Sequence, residues 1–195
     1  MKAIKLFAVS VFSVAFLSFS PVNKKLIVID AGHGGNDIGA SRNGIYEKEI
    51  VLNIGKKIQE FNSVQDKFEV ILTRDTDNYS QLSERTALIN KLNPEMVISL
   101  HMNNSPHQES ERHGLEIYTQ NTEASQKLAL QISQKFNPCE VLGEKNLHIL
   151  RESKAPAVLV ELGFINNTKD REYLVSEKGQ QETAQKFYDI FNEYH

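Results

Sequence analysis

Short apolar runs alternate with amphipathic stretches along most of the chain. The uninterrupted runs, rich in β-branched residues, are typical of strands buried on both faces of a sheet. In the longer stretches apolar residues recur every three or four positions, which predicts amphipathic helices. The predicted strands are Leu26–Ile29, Lys67–Thr73, Met96–Leu100 and Ala157–Val160, and the predicted helices begin at Glu47, after an N-cap at Ser80, near Ala124 and near Ala184. This alternation predicts a single three-layer α/β domain, with a mostly parallel sheet and helices on both faces.

Two further segments have weaker strand patterns. Gly114–Thr119 alternates apolar and polar residues, as an edge strand would, and Asn146–Leu150 is predicted as a short strand. In the second helix, Leu82 and Arg85 fall on the same face as apolar residues one and two turns later. We therefore expect Arg85 to point inward, with a structural role, and to bind an anionic group or a cluster of carbonyls.

Composition narrows the class of protein. The chain has 195 residues, of which 40% are hydrophobic and 24% are charged, as expected for one globular domain. The net charge is −3 and no long run of Lys and Arg occurs, so we expect no nucleic-acid partner. Cys139 is the only cysteine, which excludes an intramolecular disulfide.

The amino terminus differs in character from the rest. Lys2 and Lys5 precede an uncharged, apolar stretch, Leu6–Phe19, which is too short to span a bilayer comfortably. This pattern predicts a secretory signal over residues 1–20 and a catalytic domain over residues 24–195. Ser18-Phe19-Ser20 offers a cleavage site, although Pro21 is a poor neighbour for cleavage, so an uncleaved anchor is the alternative. The domain is expected to be exported, to the periplasm or to an extracellular cell wall.

Polar side chains follow three of the predicted strands. His33 lies in the glycine-rich turn after the first strand, and His101 and Glu161 directly follow the third and last strands. Glu47 returns to the same edge of the sheet in the first turn of a helix. Two histidines and a carboxylate are a common ligand set for catalytic zinc, and a further carboxylate can act as general base.

Each of these residues also has an ordinary explanation. His33 could be a turn residue, His101 could bond a neighbouring carbonyl, and Glu47 is an acid of the kind favoured at helix starts. Glu161 is harder to explain in this way, because an ionised carboxylate directly after a buried strand needs a partner.

Several motifs in order along the chain carry a family resemblance. They are IDAGHGG from Ile29, GIYEK from Gly44, LSER from Leu82, ISLHMN from Ile98, GLEIY from Gly114 and PAVLVELGFINN from Pro156. From about Leu26 to its end, the chain resembles the zinc-dependent N-acetylmuramoyl-L-alanine amidases, which cut peptidoglycan between the muramic acid lactyl group and L-alanine. The resemblance implies that His33, Glu47 and His101 bind Zn²⁺ and that Glu161 is the catalytic carboxylate. Asn103 is a candidate for substrate binding.

The chain departs from the family pattern at one place. Family members often carry an Arg-Gly motif before the fifth strand, where this chain has Val141–Lys145. Substrate contacts from this side are therefore in doubt, whereas the metal site is intact.

Two other functions stay open at this stage. One is a zinc exopeptidase or another amidohydrolase on a related fold. Comparing activity on muropeptides with activity on plain peptides would distinguish it from the amidase. The other is a catalytically dead module that binds the wall, although this chain keeps all four site residues.

Some relatives are closed by a helix that plugs the zinc site. Neither Met102–His113 nor the connection after Thr119 has room for one, so we expect a monomer that acts on peptidoglycan without an activator protein.

Overall fold

The structure, a computed structural model, describes residues 24–64 and 67–194. The expected signal segment over residues 1–20 and its cleavage site lie outside the described residues. Within the described ranges, every helix is too short or too polar to cross a membrane.

Strands and helices alternate through the described chain. The strands are β1 (Lys25–Ala31), β2 (Ser41–Arg42), β3 (Ile45–Tyr46), β4 (Phe68–Leu72), β5 (Met96–Asn103), β6 (Leu115–Thr119), β7 (Cys139–Glu144) and β8 (Ala157–Phe164). The helices are α1 (Glu47–Asn62), α2 (Leu82–Leu92), α3 (Glu123–Lys135), α4 (His148–Glu152), α5 (Thr168–Val175) and α6 (Glu177–Glu193).

The main sheet has the strand order β4-β1-β5-β8-β6-β7. Strands β4, β1, β5 and β8 run parallel to one another, while β6 is antiparallel to β8 and parallel to β7. The sheet is therefore mostly parallel, as the sequence pattern predicts. The carboxyl ends of β1, β5 and β8 lie at one edge, and β2 and β3 form a separate small hairpin after the β1 turn.

Helices cover both faces of the sheet and produce the predicted three layers. On one face, apolar residues of α1, α3 and α6 pack against the sheet in the larger core cluster. On the other face, Ile89 of α2 and the apolar residues of α4 pack against Val28, Val97 and Leu159. The central strands β1, β5 and β8 are buried between these layers, which explains their uninterrupted apolar runs.

Four local predictions are wrong. The segment predicted as a strand over Asn146–Leu150 ends in helix α4 instead. Strand β6 is an interior strand, because β7 pairs with its outer side. Leu82 is exposed, since it is the first residue of α2 and lies before the turn that packs on the sheet, and Gln81 rather than Ser80 is the N-cap.

Two buried arginines hold the turn that follows β1. Arg85 donates to the Asp30 carboxylate at 2.9 Å, to the carbonyl of Ala31 at 2.6 Å and to the carbonyl of His33. Arg74 donates to the carbonyls of Ala31 and Gly32 at 2.9 and 2.8 Å. The expectation that Arg85 finds an anion or carbonyls is confirmed, and it finds both.

Asp30 is the buried anion that matches Arg85. Burial raises the pKa of Asp30, but Arg85 and the hydroxyls of Thr73 and Ser99 outweigh burial and keep the pKa below its usual value. Ser99 donates to Asp30 Oδ2 at 2.7 Å and Thr73 donates to Oδ1 at 2.6 Å. The aspartate is therefore ionised, paired and fully hydrogen-bonded beneath the turn.

We expect Arg85→Met to lower the free energy of unfolding by about 3–5 kcal/mol, because it leaves the Asp30 charge buried without its partner. The matched control is Arg151→Met, which removes a half-exposed arginine paired with Glu152 and should change stability by about 0–1 kcal/mol. Urea denaturation followed by circular dichroism measures both. Equal effects of the two substitutions would contradict the role given to Arg85.

Candidate metal centre

Two histidines and one glutamate meet at the sheet edge where β1 and β5 end. Glu47 Oε1 lies 3.0 Å from His33 Nε2 and 2.9 Å from His101 Nδ1. The two imidazole rings are in edge contact, with their centroids 5.1 Å apart. One possible ligand atom from each residue lies within 4.8 Å of the others. The structure thus brings together the three residues that the sequence predicts as ligands.

Glycines let these side chains approach so closely. A Cβ on Gly32 would lie 2.3 Å from the His101 ring, and a Cβ on Gly39 would lie 2.5 Å from Glu47 Oε2 and 2.7 Å from the His33 ring. His33 itself has a left-handed backbone, with φ of 61°, which is uncommon for a residue with a side chain. The glycine-rich turn therefore serves to place the histidine ring rather than only to reverse the chain.

Glu47 is fixed by backbone amides from two separate segments, at Ala40 before the small hairpin and at Met102 of β5. Its Oε2 accepts a hydrogen bond from the Ala40 amide at 2.7 Å, and its Oε1 accepts one from the Met102 amide at 3.0 Å. Glu47 is the first residue of α1, where the helix dipole favours a negative charge. The carboxylate therefore links the helix layer to the end of β5.

The charges of the cluster favour a bound cation. Burial raises the pKa of Glu47, but its contacts with His101 and His33 outweigh burial and lower the pKa to about 2. Burial lowers the pKa of His33, but Glu47 and Asp37 outweigh it and raise the pKa to about 9. The negative charge of Glu47 stabilises the protonated His33 ring, and the same charge attracts a metal ion to His33 Nε2, the nitrogen that faces Glu47.

The residues present fit a divalent metal. Two imidazole nitrogens and a carboxylate oxygen are typical zinc donors, and ligands of a tetrahedral zinc with bonds of about 2.0–2.1 Å lie roughly 3.3 Å apart. The separations of 3.0 and 2.9 Å at Glu47 Oε1 are close to this value. Asp37 Oδ1 lies 2.9 Å from His33 Nδ1, although the two atoms are not aligned for a hydrogen bond. Asp37 is therefore a carboxylate next to a ligand and not a ligand itself.

Glu161 lies beside the cluster with a different environment. It is directly opposite His101 in the parallel pairing of β5 with β8. Its Oε2 is buried and accepts no hydrogen bond from the residues that the structure describes. Burial raises the pKa of Glu161 to about 7. A carboxylate with such a pKa can take up and release a proton near neutrality.

Asn103 does not point freely toward the cluster. Its Nδ2 donates to Glu116 Oε2 at 2.7 Å, and its Oδ1 accepts from the Asn104 amide at 2.8 Å. The role of Asn103 in substrate binding stays a prediction.

Sequence reasoning missed two neighbours of Glu161. Glu116 on β6 pairs directly with Glu161 across the sheet and is buried, and it forms an ion pair with Arg112. The Arg112 guanidinium also lies 4.9 Å over the Phe164 ring. The alternating pattern placed Glu116 on an exposed face, whereas in the structure Asn103 and Arg112 both contact its carboxylate.

Sequence comparison relates the chain to known proteins. Residues 27–192 match the family of N-acetylmuramoyl-L-alanine amidases. YqiI of Bacillus subtilis (strain 168) is 32% identical over 183 residues, which are 90% of this chain and 87% of YqiI. The N-acetylmuramoyl-L-alanine amidase CwlM of Bacillus licheniformis is 34% identical over 154 residues, which are 77% of this chain but 60% of CwlM.

Solved structures share the fold. The catalytic domain of CwlV, an N-acetylmuramoyl-L-alanine amidase from Bacillus (Paenibacillus) polymyxa var. colistinus, has a TM-score of 0.81 at 32% identity, covering 87% of this chain and 97% of that domain. The CwlD amidase from Clostridioides difficile, solved in complex with the GerS lipoprotein, has a TM-score of 0.79 at 28% identity, covering 88% of this chain and 98% of CwlD.

We expect the cluster to bind about one Zn²⁺ per chain, and His33→Ala or His101→Ala to weaken binding by at least about 100-fold, because even outer-shell partners are worth about 10–100-fold. His113→Ala removes an exposed histidine of the loop after β5 and serves as the control. Equilibrium dialysis with metal analysis gives the affinity. Wild-type affinity in both ligand variants would overturn the assignment.

Proposed function

The chain belongs to the N-acetylmuramoyl-L-alanine amidase family, whose members hydrolyse the amide bond between N-acetylmuramic acid and L-alanine in peptidoglycan, and we propose that it performs this reaction with Zn²⁺ held by His33, Glu47 and His101. The observation that carries the proposal is the position of Glu161. This carboxylate, with an unpartnered buried oxygen, lies next to a group that can hold a metal. A catalytic base needs that placement, whereas a structural carboxylate would be hydrogen-bonded.

The two glutamates divide the chemistry. A zinc ion in this site would acidify a water molecule and polarise the scissile carbonyl. Glu161 Oε2 then accepts a proton from the water and delivers it to the L-alanine nitrogen as the amide bond breaks. Glu47, with its pKa near 2, stays ionised and holds the two imidazoles in place. Asp37 lies 2.9 Å from His33 Nδ1 on the far side of the ring and adds a negative charge there.

The proposed substrate contact of Asn103 depends on Glu116. The hydrogen bond to Glu116 fixes the Asn103 side chain, which lies two residues beyond His101 on β5. A fixed amide of this kind can serve as a hydrogen-bond partner for a substrate without losing further side-chain entropy.

Export to the periplasm belongs to the same proposal. Its support is the Lys-flanked apolar segment over residues 1–20, together with a substrate that lies outside the cytoplasm. Secretion to an extracellular wall and an uncleaved anchor are the alternatives that the sequence leaves open.

We further propose that the catalytic domain is active as a monomer without an activator. In the described chain, residues 104–114 between β5 and β6 and residues 120–122 between β6 and α3 contain no helix that could cover the site. The CwlD structure shows that an amidase with this fold can be bound to a lipoprotein, so the proposal concerns this chain alone.

We expect Glu161→Gln to lower kcat on peptidoglycan by about 10²–10⁴-fold while zinc content and fold are retained, because an amide cannot accept the proton. Glu69→Gln, at an exposed position of β4, is the control and should keep wild-type turnover. Release of muropeptide products is measured by mass spectrometry. Near wild-type turnover of Glu161→Gln would show that another group is the base.

The purified, zinc-loaded protein should release stem peptides from peptidoglycan unaided, with a rate that added cell lysate raises little, because nothing in the described loops closes the site. Size-exclusion chromatography with light scattering reports the expected monomer. A protein that is inert alone and becomes active with lysate would contradict the absence of an activator but support the proposed reaction.

A further inference from the structure

A cavity of about 240 Å³ opens beside the metal centre on the β1 side. His33 and His101 line it together with Tyr79 and Leu82. These two side chains are 58% and 55% exposed, although both are large and apolar. Adjacent exposed apolar side chains beside a reactive centre are typical of a ligand-binding surface.

The turn that carries Tyr79 is clamped onto the glycine-rich turn after β1. Asp77 accepts hydrogen bonds from the Gly35 amide at 2.8 Å and from Lys48 Nζ at 2.6 Å, and the same Nζ donates to the Gly35 carbonyl at 2.9 Å. The contact is so close that a Cβ on Gly35 would lie 2.8 Å from the Tyr79 amide nitrogen. Tyr79 is therefore presented at a fixed distance from His33, which reduces the entropy lost on binding.

The position of Glu161 defines which half of the substrate lies in this cavity. Glu161 is on β8 and the cavity is on the β1 side, with His101 of β5 between them. The proton donor must lie on the amine side of the scissile bond, since it protonates the L-alanine nitrogen. The acyl half, which is the lactyl group with its muramyl ring, then extends away from Glu161 and toward Tyr79 and Leu82.

The charges on the two sides agree with this direction. On the cavity side the cations are already engaged, since Arg85 binds Asp30 and Lys48 binds Asp77. On the Glu161 side, Arg112 is engaged by Glu116, but Lys145 is exposed over the Tyr118 ring and its ammonium faces the solvent. The carboxylates of a stem peptide suit the Glu161 side, and an uncharged sugar ring suits the cavity.

We propose that Tyr79 and Leu82 form the subsite for the N-acetylmuramic acid ring, with Tyr79 stacking on the apolar face of the pyranose and Leu82 contacting its methyl-bearing substituents. The proposal rests on the proposed amidase function and adds the direction in which the substrate lies. It makes the enzyme selective for a sugar-bearing acyl group over the lactyl group alone.

The test compares two substrates with the same protein preparation. One is the disaccharide pentapeptide of peptidoglycan, and the other is the D-lactoyl pentapeptide, which has the same scissile bond but no sugar. We expect Tyr79→Ala and Leu82→Ala to lower the ratio of kcat/KM values, sugar-bearing over lactoyl, by about tenfold, the size of effect that a lost apolar pocket contact has on specificity. A reduced folded fraction cancels in this ratio.

The control for Leu82→Ala is Leu130→Ala, a leucine of α3 that is 56% exposed and lies outside the cavity. It should leave the ratio unchanged, and Tyr79→Phe should restore it, because the ring and not the hydroxyl makes the contact. As a readout independent of turnover, saturation-transfer NMR with N-acetylmuramic acid should show saturation of the sugar ring protons in the wild type and in Leu130→Ala, and its loss in Tyr79→Ala.

Three outcomes would overturn the inference. Equal losses on both substrates would show that the cavity binds the lactyl group or the peptide. No change in either would show that Tyr79 and Leu82 do not contact substrate, while the proposed reaction stands. A wild-type protein that cleaves neither substrate would contradict the proposed function, and this inference with it.

Discussion

Inward-facing carbonyl groups in the turn after β1 are the constraint on which the site depends. The carbonyls of Ala31, Gly32 and His33 point away from solvent, and buried carbonyls need donors. Arg74 and Arg85 supply those donors with two rigid, permanently charged guanidinium groups. A hydrogen-bonded turn of this kind can hold His33 in a left-handed backbone that would otherwise relax. The edge of the sheet that carries the cluster is thus supported by two buried arginines.

Glu47 connects the β1 turn to the other segments at this edge of the sheet. Its carboxylate contacts both histidines and the amides of Ala40 and Met102, so the β1 turn, the hairpin region and the end of β5 share one acceptor. Moving any one of these segments would break a hydrogen bond to a buried charge, which is more costly than losing a neutral hydrogen bond. The cluster is consequently preorganised by the fold itself, as a metal site requires.

How much the sequence could predict depended on whether a feature was local or set by distant contacts. The strands β1, β5 and β8 and the start of α1 carry strong local patterns, and parallel strands place their carboxyl ends at one edge, so the meeting of His33, Glu47 and His101 could be predicted. Strand β7 is short and mostly exposed, with no apolar run, so its pairing with β6 could not be predicted from the sequence. The contacts of Glu116 with Asn103 and Arg112 could not be predicted either, because they depend on how the loop between β5 and β6 folds back. Arg74 was predicted only as part of a polar connection, because the carbonyl groups that it binds lie 42 and 43 residues away in sequence.

The pKa values of two glutamates beside His101 are shifted in opposite directions, and hydrogen bonding makes the difference. Glu47 accepts from two backbone amides and contacts two imidazoles, and the pKa of its carboxyl falls to about 2. Glu161 is half-buried, but its buried Oε2 has no donor among the described residues and its pKa rises to about 7. Burial alone raises the pKa of both, so the difference comes from the donors that surround Glu47. A carboxylate that never protonates suits a metal ligand, and one that protonates near neutrality suits a proton carrier. The proposed division of roles, with Glu47 as a metal ligand and Glu161 as the proton carrier, therefore agrees with the environments of the two side chains.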